Sequence, residues 1–283
     1  MHCLSMTRIR NNWEIERRMM LPIKNTVDEW LMFSGQRKPA ARLQLICFHH
    51  AGGGASMFRR WADELPEEIA VSAVQLPGRE FRLREPCFTR MEPLVHELVK
   101  QLTPRLDLPF AFFGHSMGAL VAFELARELR RRGEREPFYL GVSGRIAPQL
   151  RSRFRPAAEL TDAQLLERVR ELGGLPEQVA KEPELLELVL PIIRADYAVI
   201  DNYTCAPEPP LSCAISAFWG RGDILATEEQ VFAWKQHTHH QFTIRDFPGD
   251  HFFVNTVRQD VQRALRADLK HVLGEQPRLE PVG

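Results

Sequence analysis

The sequence predicts an α/β fold: a mostly parallel central sheet with helices on both faces and an inserted helical lid. Three observations carry this. Short apolar runs alternate with amphipathic stretches from Arg42 onward, the pattern of strands joined by crossover helices. The stretch PFAFFGHSMGALVAFELARELRRR (109–132) reads as strand, tight G-x-S-x-G turn and helix. Residues 155–205 carry helical periodicity and no strand, yet lie between segments that do contain strands.

Each element follows in order. Residues 42–48 (RLQLICF) read as a central strand, followed by the glycine-rich loop HHAGGGAS (49–56). A helix through Phe58, Trp61 and Leu65 ends near Pro66. Residues 69–76 (IAVSAVQL) form a second strand, closed by Pro77-Gly78-Arg79-Glu80, and 94–106 is a helical segment. After the 109–132 stretch, 137–143 (PFYLGVS) is another strand. Leu160-Thr161-Asp162 opens a helix, with Thr161 or Asp162 as its N-cap, and Gly173-Gly174-Leu175-Pro176 breaks it. Further helix covers 184–193 and 194–203, interrupted at Pro191. Strands resume at 213–219 (CAISAFW) and 242–247 (FTIRDF), and a last helix spans 257–273. The chain thus divides into an N-terminal extension (1–24), a core (25–154 and 206–275), a helical lid (155–205) and a C-terminal tail (276–283).

Composition narrows the function. The chain has 283 residues, 44% of them hydrophobic, which suits one α/β domain with an insertion. Lys+Arg and Asp+Glu are equal at 37 each, so no nucleic-acid or membrane-surface footprint is expected. The clusters Arg130-Arg131-Arg132 and Arg151, Arg153, Arg155 read as a solvated helix end and a loop. No apolar run reaches the ~18 residues of a membrane helix, and the N-terminus lacks the apolar region of a signal peptide. The five cysteines have no C-x-x-C spacing, and Cys47 and Cys213 sit in strand-like runs, which fits a reducing compartment. The expectation is a cytoplasmic, monomeric protein.

The catalytic reading starts at Ser116. A strand-turn-helix with G-x-S-x-G is a nucleophile elbow, and the helix N-terminus beside the serine offers free N–H groups to an oxyanion. A serine hydroxyl needs a base to take its proton. His251 follows the last strand, and Asp223 follows the strand before it, at the sheet edge where α/β sites lie. The order Ser116, Asp223, His251 is that of α/β-hydrolases. His251 is read as the general base and Asp223 as the group that orients its imidazole. Asp246, Asp250 and Asp201 are the competing acids. The N–H groups of Met117 and Ala51 are the expected oxyanion donors. His115 is read as a packing neighbour of the nucleophile. His237, His239 and His240 lack partnering carboxylates, and neither metal nor cofactor is expected. Phe252, Phe253, Met117, Leu175 and Tyr197 are candidates for an apolar, partly enclosed acyl pocket.

A resemblance covers 30–273. FHHAGGGAS (48–56), QLPGRE (75–80), PFAFFGHSMGALVAFELA (109–126), GGLPE (173–177), LPIIRADYAVIDNY (190–203), WGRGD (219–223) and PGDHFF (248–253) together closely resemble the type II, external editing thioesterases of nonribosomal peptide and polyketide synthesis. The resemblance implies an α/β-hydrolase fold with a mobile helical lid. It also implies hydrolysis of acyl groups from the phosphopantetheine arm of an acyl or peptidyl carrier protein, in antibiotic or siderophore assembly. It supports the same triad and oxyanion residues. Two departures stand out: His49 occupies a usual proline position, and Asp250 one often held by glycine. Alternatives to the editing reading are a medium-chain fatty acyl thioesterase, a carboxylesterase, and a non-catalytic hydrolase-fold binding protein. The complete set of triad residue types disfavours the last.

Overall fold

Strands β2 (Leu43–Phe48), β3 (Ile69–Val74), β4 (Phe110–His115) and β5 (Tyr139–Ser143) are buried at every residue. Strands without a polar face must be covered on both sides, and they are. The computed structural model describes residues 29–33, 38–175 and 177–275. The expected N-terminal extension (1–24) and tail (276–283) lie outside them. With β6 (Ala214–Gly220) and β7 (Phe242–Phe247), these strands form one sheet in the order β1-β3-β2-β4-β5-β6-β7. All pairs from β2 to β7 are parallel. The exception, β1 (Leu31–Met32), pairs antiparallel with β3. Strand β1 has no signature in the sequence, because two residues carry no periodicity.

Side chains alternate across each strand. Ile46, Phe48, Phe110 and Phe112 face a core shared with α2 (Met91–Leu102) and α3 (Met117–Arg131). Leu45, Cys47, Ala111 and Phe113 face the opposite core, with α1 (Arg59–Glu64) and the C-terminal helix. Cys47 and Cys213 are buried free thiols, as strand packing of a small apolar side chain suggests.

Among the described residues between β5 and β6 there are three α-helices and no strand: α4 (Asp162–Glu171), α5 (Glu177–Lys181) and α6 (Pro183–Asp201). Thr161 is the N-cap of α4. It accepts from the Gln164 N–H, and the Gln164 side chain returns to the Thr161 N–H, a reciprocal capping box. Leu165, Val169 and Ile193 make a separate small core with Ala157 and Leu160. The expected break at Pro191 is absent: α6 runs through it. Proline removes one N–H bond, but Pro191 is exposed while Ile192, Ile193, Asp196 and Val199 anchor the buried face. The Arg130–Arg132 cluster is not simply solvated. Arg131 and Arg132 pair with Glu128, and Arg130 and Arg131 pair with Glu208, which ties the end of α3 to the chain entering β6.

After β6 come α7 (Glu228–Phe232), then β7, α8 (Phe253–Thr256) and α9 (Arg258–Glu275). The fold therefore delivers the ends of β4, β6 and β7 to one edge of the sheet. Closest approach occurs at Gly118, where an added Cβ would overlap the carbonyl oxygen of Phe48 and lie 2.7 Å from that of His49. A Gly118→Ala variant is expected to lose at least ~2 kcal/mol to overpacking, read as a fall in Tm of about 5 °C or more by thermal unfolding. A Tm within about 1 °C of the parent would mean that α3 does not sit this close to β2.

Candidate active site

The site begins at the turn between β4 and α3. Ser116 takes φ 56° and ψ −112°, a positive φ that is uncommon for a side-chain-bearing residue. Gly114 makes the turn possible, since a Cβ there would overlap the carbonyl of Gly118. The backbone holds the strained residue in place: its N–H donates to the Ser143 carbonyl at 2.7 Å. Ser116 is the residue before α3, so the Met117 N–H lies in the first turn, where the helix itself supplies no acceptor.

His251 and Asp223 meet. His251 Nδ1 lies 2.8 Å from Asp223 Oδ2, and the Asp223 side chain is fully buried. The other oxygen, Oδ1, accepts the Leu225 N–H at 2.8 Å. Both carboxylate oxygens are engaged, so the acid is fixed in place and able to hold Nδ1–H. The competing acids do other work. Asp250 is exposed and accepts the Phe252 N–H at 2.9 Å. Asp246 pairs with Arg221 at the surface. Asp201 accepts the Ala157 N–H at 2.6 Å.

His251 is brought to the elbow by packing. Its ring lies 5.1 Å from that of His115, the residue preceding Ser116. A Cβ on Gly144 would come 3.2 Å from His251 Cε1 and 2.7 Å from His115 Cε1. His115 is fully buried, with Nδ1 3.0 Å from Ser143 Oγ, as expected for a packing neighbour.

The loop after β2 completes the cleft. The Gly53 N–H donates to the His50 carbonyl and the Gly52 N–H donates to Asp196 Oδ2 at 2.7 Å. The Ala51 N–H has no acceptor among the described residues, and Ala51 lines the same cavity as Ser116. His49 Nδ1–H donates to the His50 carbonyl at 2.8 Å, so the ring at the usual proline position ties down the loop and its tautomer is set.

Two residues were missed from sequence, and both bear on this loop. Arg79 Nη1 and Nη2 make a bidentate pair with Asp196 Oδ2 and Oδ1 at 2.5 and 2.9 Å. Nη1 also reaches the Gly53 carbonyl at 3.3 Å. Burial opposes the Arg79 charge, but the Asp196 carboxylate outweighs it and holds the guanidinium above its ordinary value. Asp196, on α6, therefore clamps the helical insertion to the oxyanion-side loop. Both residues lie inside the quoted segments QLPGRE and LPIIRADYAVIDNY, but only their mutual burial reveals the contact.

The expected lining of the pocket is corrected. Phe253 and Met117 are buried in the two main cores. Phe252 packs edge-on against His50 and His251, and Leu175 joins the small core of the insertion. Of the five candidates only Tyr197 lines the cavity at Ser116, beside Arg145, Arg155, Arg168 and Asp201. Sequence hydrophobicity marked core residues, while the cavity lining mixes these charged side chains with Ala51, Ile146, Phe154, Ile200 and Leu225. Of the histidines set aside, His237 packs on Phe123 and Trp234, while His239 and His240 are exposed.

With this geometry, the family can be stated. The model of the thioesterase domain family matches residues 43–269. The chain belongs to the thioesterase domain family. This thioesterase is 38% identical over 247 residues to the gramicidin S biosynthesis protein GrsT of Aneurinibacillus migulanus, covering 87% of the chain and 96% of that protein. The RedJ thioesterase of the prodiginine biosynthetic pathway in Streptomyces coelicolor superposes with a TM-score of 0.76 at 43% identity, covering 80% of this chain and 90% of that one. The type II thioesterase BorB, from the borrelidin biosynthetic cluster, superposes with a TM-score of 0.77 at 36% identity, covering 86% and 97%. The α/β fold and hydrolase class of the thioesterase follow.

The histidines around the cleft set its pH response. Burial first, then the Arg79 charge, lowers His49 to about 3. Burial and its neighbours His49 and His251 lower His50 to about 3. Burial and the same histidine cluster hold His115 well below its ordinary value. All three stay neutral when folded and take up protons from about pH 6.5 downward when unfolded, so stability is complete above that pH and falls below it. Once the pH is well under 6.5, these three are expected to remove about 4 kcal/mol of unfolding free energy per pH unit. His49→Gln should lower that slope by about one proton. Denaturant unfolding at pH 7, 6 and 5 measures it, and a flat profile would contradict the neutral cluster.

Proposed function

We propose that this thioesterase hydrolyses acyl groups from the phosphopantetheine arm of acyl or peptidyl carrier proteins. In this role it clears misprimed or stalled units from a nonribosomal peptide or polyketide assembly line. The observation that carries the reading is the buried His251–Asp223 pair, 2.8 Å apart, packed on His115, the residue before an elbow serine at a helix N-terminus. The family relationship supports the thioester. The core (25–154 and 206–275) supplies the machinery and the 155–205 insertion acts as the lid through which a long arm passes. A cytoplasmic monomer meeting carrier proteins fits this reading, and no helix among the described residues is long and apolar enough to cross a membrane.

The chemistry follows from the residues. Ser116 Oγ attacks the thioester carbon while His251 Nε2 takes its proton. Asp223 holds Nδ1–H and stabilises the imidazolium. The oxyanion accepts the N–H groups of Met117 and Ala51. Collapse breaks the C–S bond, and the proton from His251 leaves with the thiol. Water then attacks the acyl-serine, His251 takes a proton from it, and the C–O bond to Ser116 breaks. That proton returns to Oγ and the acyl group leaves as the free acid. A medium-chain fatty acyl reading keeps the same machinery and is separated by acyl chain length. A carboxylesterase reading keeps the same machinery and is separated by the leaving group.

An acyl-pantetheine thioester should be cleaved much faster than its matched oxygen ester, and equal rates would favour the esterase. Ser116→Ala should abolish turnover with the fold retained by circular dichroism. Asp223→Asn should lower kcat on the order of 10⁴-fold, the scale for a wrongly held tautomer, whereas Asp250→Asn should stay within a few-fold of the parent. The reverse ranking would reassign the acid.

A further inference from the structure

The loop that carries the Ala51 N–H is held from outside by a helix that bears none of the triad. A trans peptide is planar, with its N–H and C=O pointing in opposite directions. The carbonyl of the peptide that bears the Ala51 N–H belongs to His50. It accepts from the Gly53 N–H at 3.0 Å and from His49 Nδ1 at 2.8 Å. With the carbonyl pinned on one side, the N–H faces the other. The next peptide is pinned through its own N–H, which Gly52 donates to Asp196 Oδ2 at 2.7 Å. Gly52 sits at φ 77°, and glycine passes readily between conformations of either sign, so this outside anchor fixes the turn.

Helix α6 meets this loop at two residues of one face, Ile193 and Asp196, three positions apart. A Cβ on Gly52 would come 2.9 Å from Ile193 Cγ1, so apolar contact alone seats the helix on the loop. Yet two charges are buried here as well: the Arg79 and Asp196 side chains are 4% and 2% exposed. Apolar residues of similar volume would avoid that desolvation. What they would lack is an acceptor for the Gly52 N–H. Arg79 grips that acceptor through both terminal nitrogens, at 2.5 and 2.9 Å, and reaches the Gly53 carbonyl at 3.3 Å. The charged pair is thus spent on the backbone of one loop.

We propose that Asp196 is a positioning residue for hydrolysis: by holding the Gly52 N–H it aims the Ala51 N–H at the oxyanion, so the helical insertion supplies part of the order on which the oxyanion hole depends. This rests on the reading of Ser116 as the nucleophile of a thioesterase and deepens it. Asp196 acts through the loop and not on the substrate. Its effect falls on the two tetrahedral intermediates, where negative charge collects on the former carbonyl oxygen. An interaction made there and not in the ground state bears on kcat and leaves KM nearly unchanged.

The experiment measures kcat and KM for an acyl-pantetheine thioester and for the p-nitrophenyl ester of the same acid. It also measures Ki for the matching trifluoromethyl ketone. Ser116 Oγ adds to that ketone carbon, His251 takes the proton, and the resulting oxyanion occupies the hole without turnover. Two variants are compared with the parent: Asp196→Asn, and the double variant Arg79→Met with Asp196→Leu, which strands no buried charge. In the double variant kcat should fall at least about tenfold on both substrates, short of the ~10²–10³-fold loss of an oxyanion donor removed outright. KM should stay within about threefold, and Ki should rise by the factor that kcat/KM falls. Asp196→Asn keeps an oxygen for the Gly52 N–H and should lie between parent and double variant. The basic limb of the pH profile should not move, because the Asp223–His251 pair is untouched. A folded double variant with kcat and Ki within about twofold of the parent makes Asp196 a structural clamp only and overturns the inference. A loss confined to KM also overturns it. If neither variant folds, amide exchange in the parent decides: the Gly52 N–H should exchange as slowly as the amides of α6, and fast exchange overturns the inference. A parent that cleaves the p-nitrophenyl ester but not the thioester removes the thioesterase reading, and the Asp196 assignment then stands or falls on that ester. A parent that cleaves neither removes both.

Discussion

The close approach of strand to helix at the elbow is the constraint on which the rest depends. Neither Gly114 nor Gly118 has room for a Cβ, because α3 leaves the end of β4 hard against β2. This geometry drives Ser116 to a positive φ and sets it at the N-terminus of α3. Such strain persists only where the surroundings over-determine it. Here the Ser143 carbonyl, the helix start and the neighbouring strand all hold the turn. The parallel sheet then brings the loops after β6 and β7 to the same edge, so the Asp223–His251 pair arrives against His115, the neighbour of Ser116.

The second organising contact is the Arg79–Asp196 pair. Desolvating two charges is costly, and such a pair is retained only with good geometry and extra hydrogen bonds. Asp196 has both: two bonds from Arg79 and one from the Gly52 N–H. The pair connects three parts of the chain, namely the loop after β3, the loop after β2 and helix α6. The insertion is thereby coupled to the backbone that presents the Ala51 N–H. His49 works on the same loop from inside, through the His50 carbonyl. Withdrawal of α6 would take the Asp196 carboxylate from Gly52 and leave Arg79 to hold the loop alone.

How much of this could be read from the sequence depended on how local the cause was. The turn at Ser116 and the Thr161 cap rest on short-range patterns, and the structure has both where the sequence placed them. Strand β1 was too short to show a period. Pro191 was read by a local rule, but tertiary packing of Ile192, Ile193 and Val199 overrode it. The cavity lining was misjudged because apolar residues next to a motif, such as Phe253, are drawn into the core. The residues facing the cleft, such as Arg145, Phe154 and Tyr197, are of mixed chemistry and lie far from the motif in sequence. The Arg79–Asp196 pair joins positions 117 apart, a contact with no sequence periodicity at all.

Everything proposed for this cleft requires Ser116 to be a nucleophile activated by its surroundings. A fluorophosphonate probe, which reacts with serines held beside a base and an oxyanion hole, tests it directly when followed by peptide mass spectrometry. The account predicts one phosphonate per chain, on the peptide carrying Ser116, with labelling greatly slowed in His251→Ala. Labelling at another residue, or a folded protein that takes up no label, would contradict it.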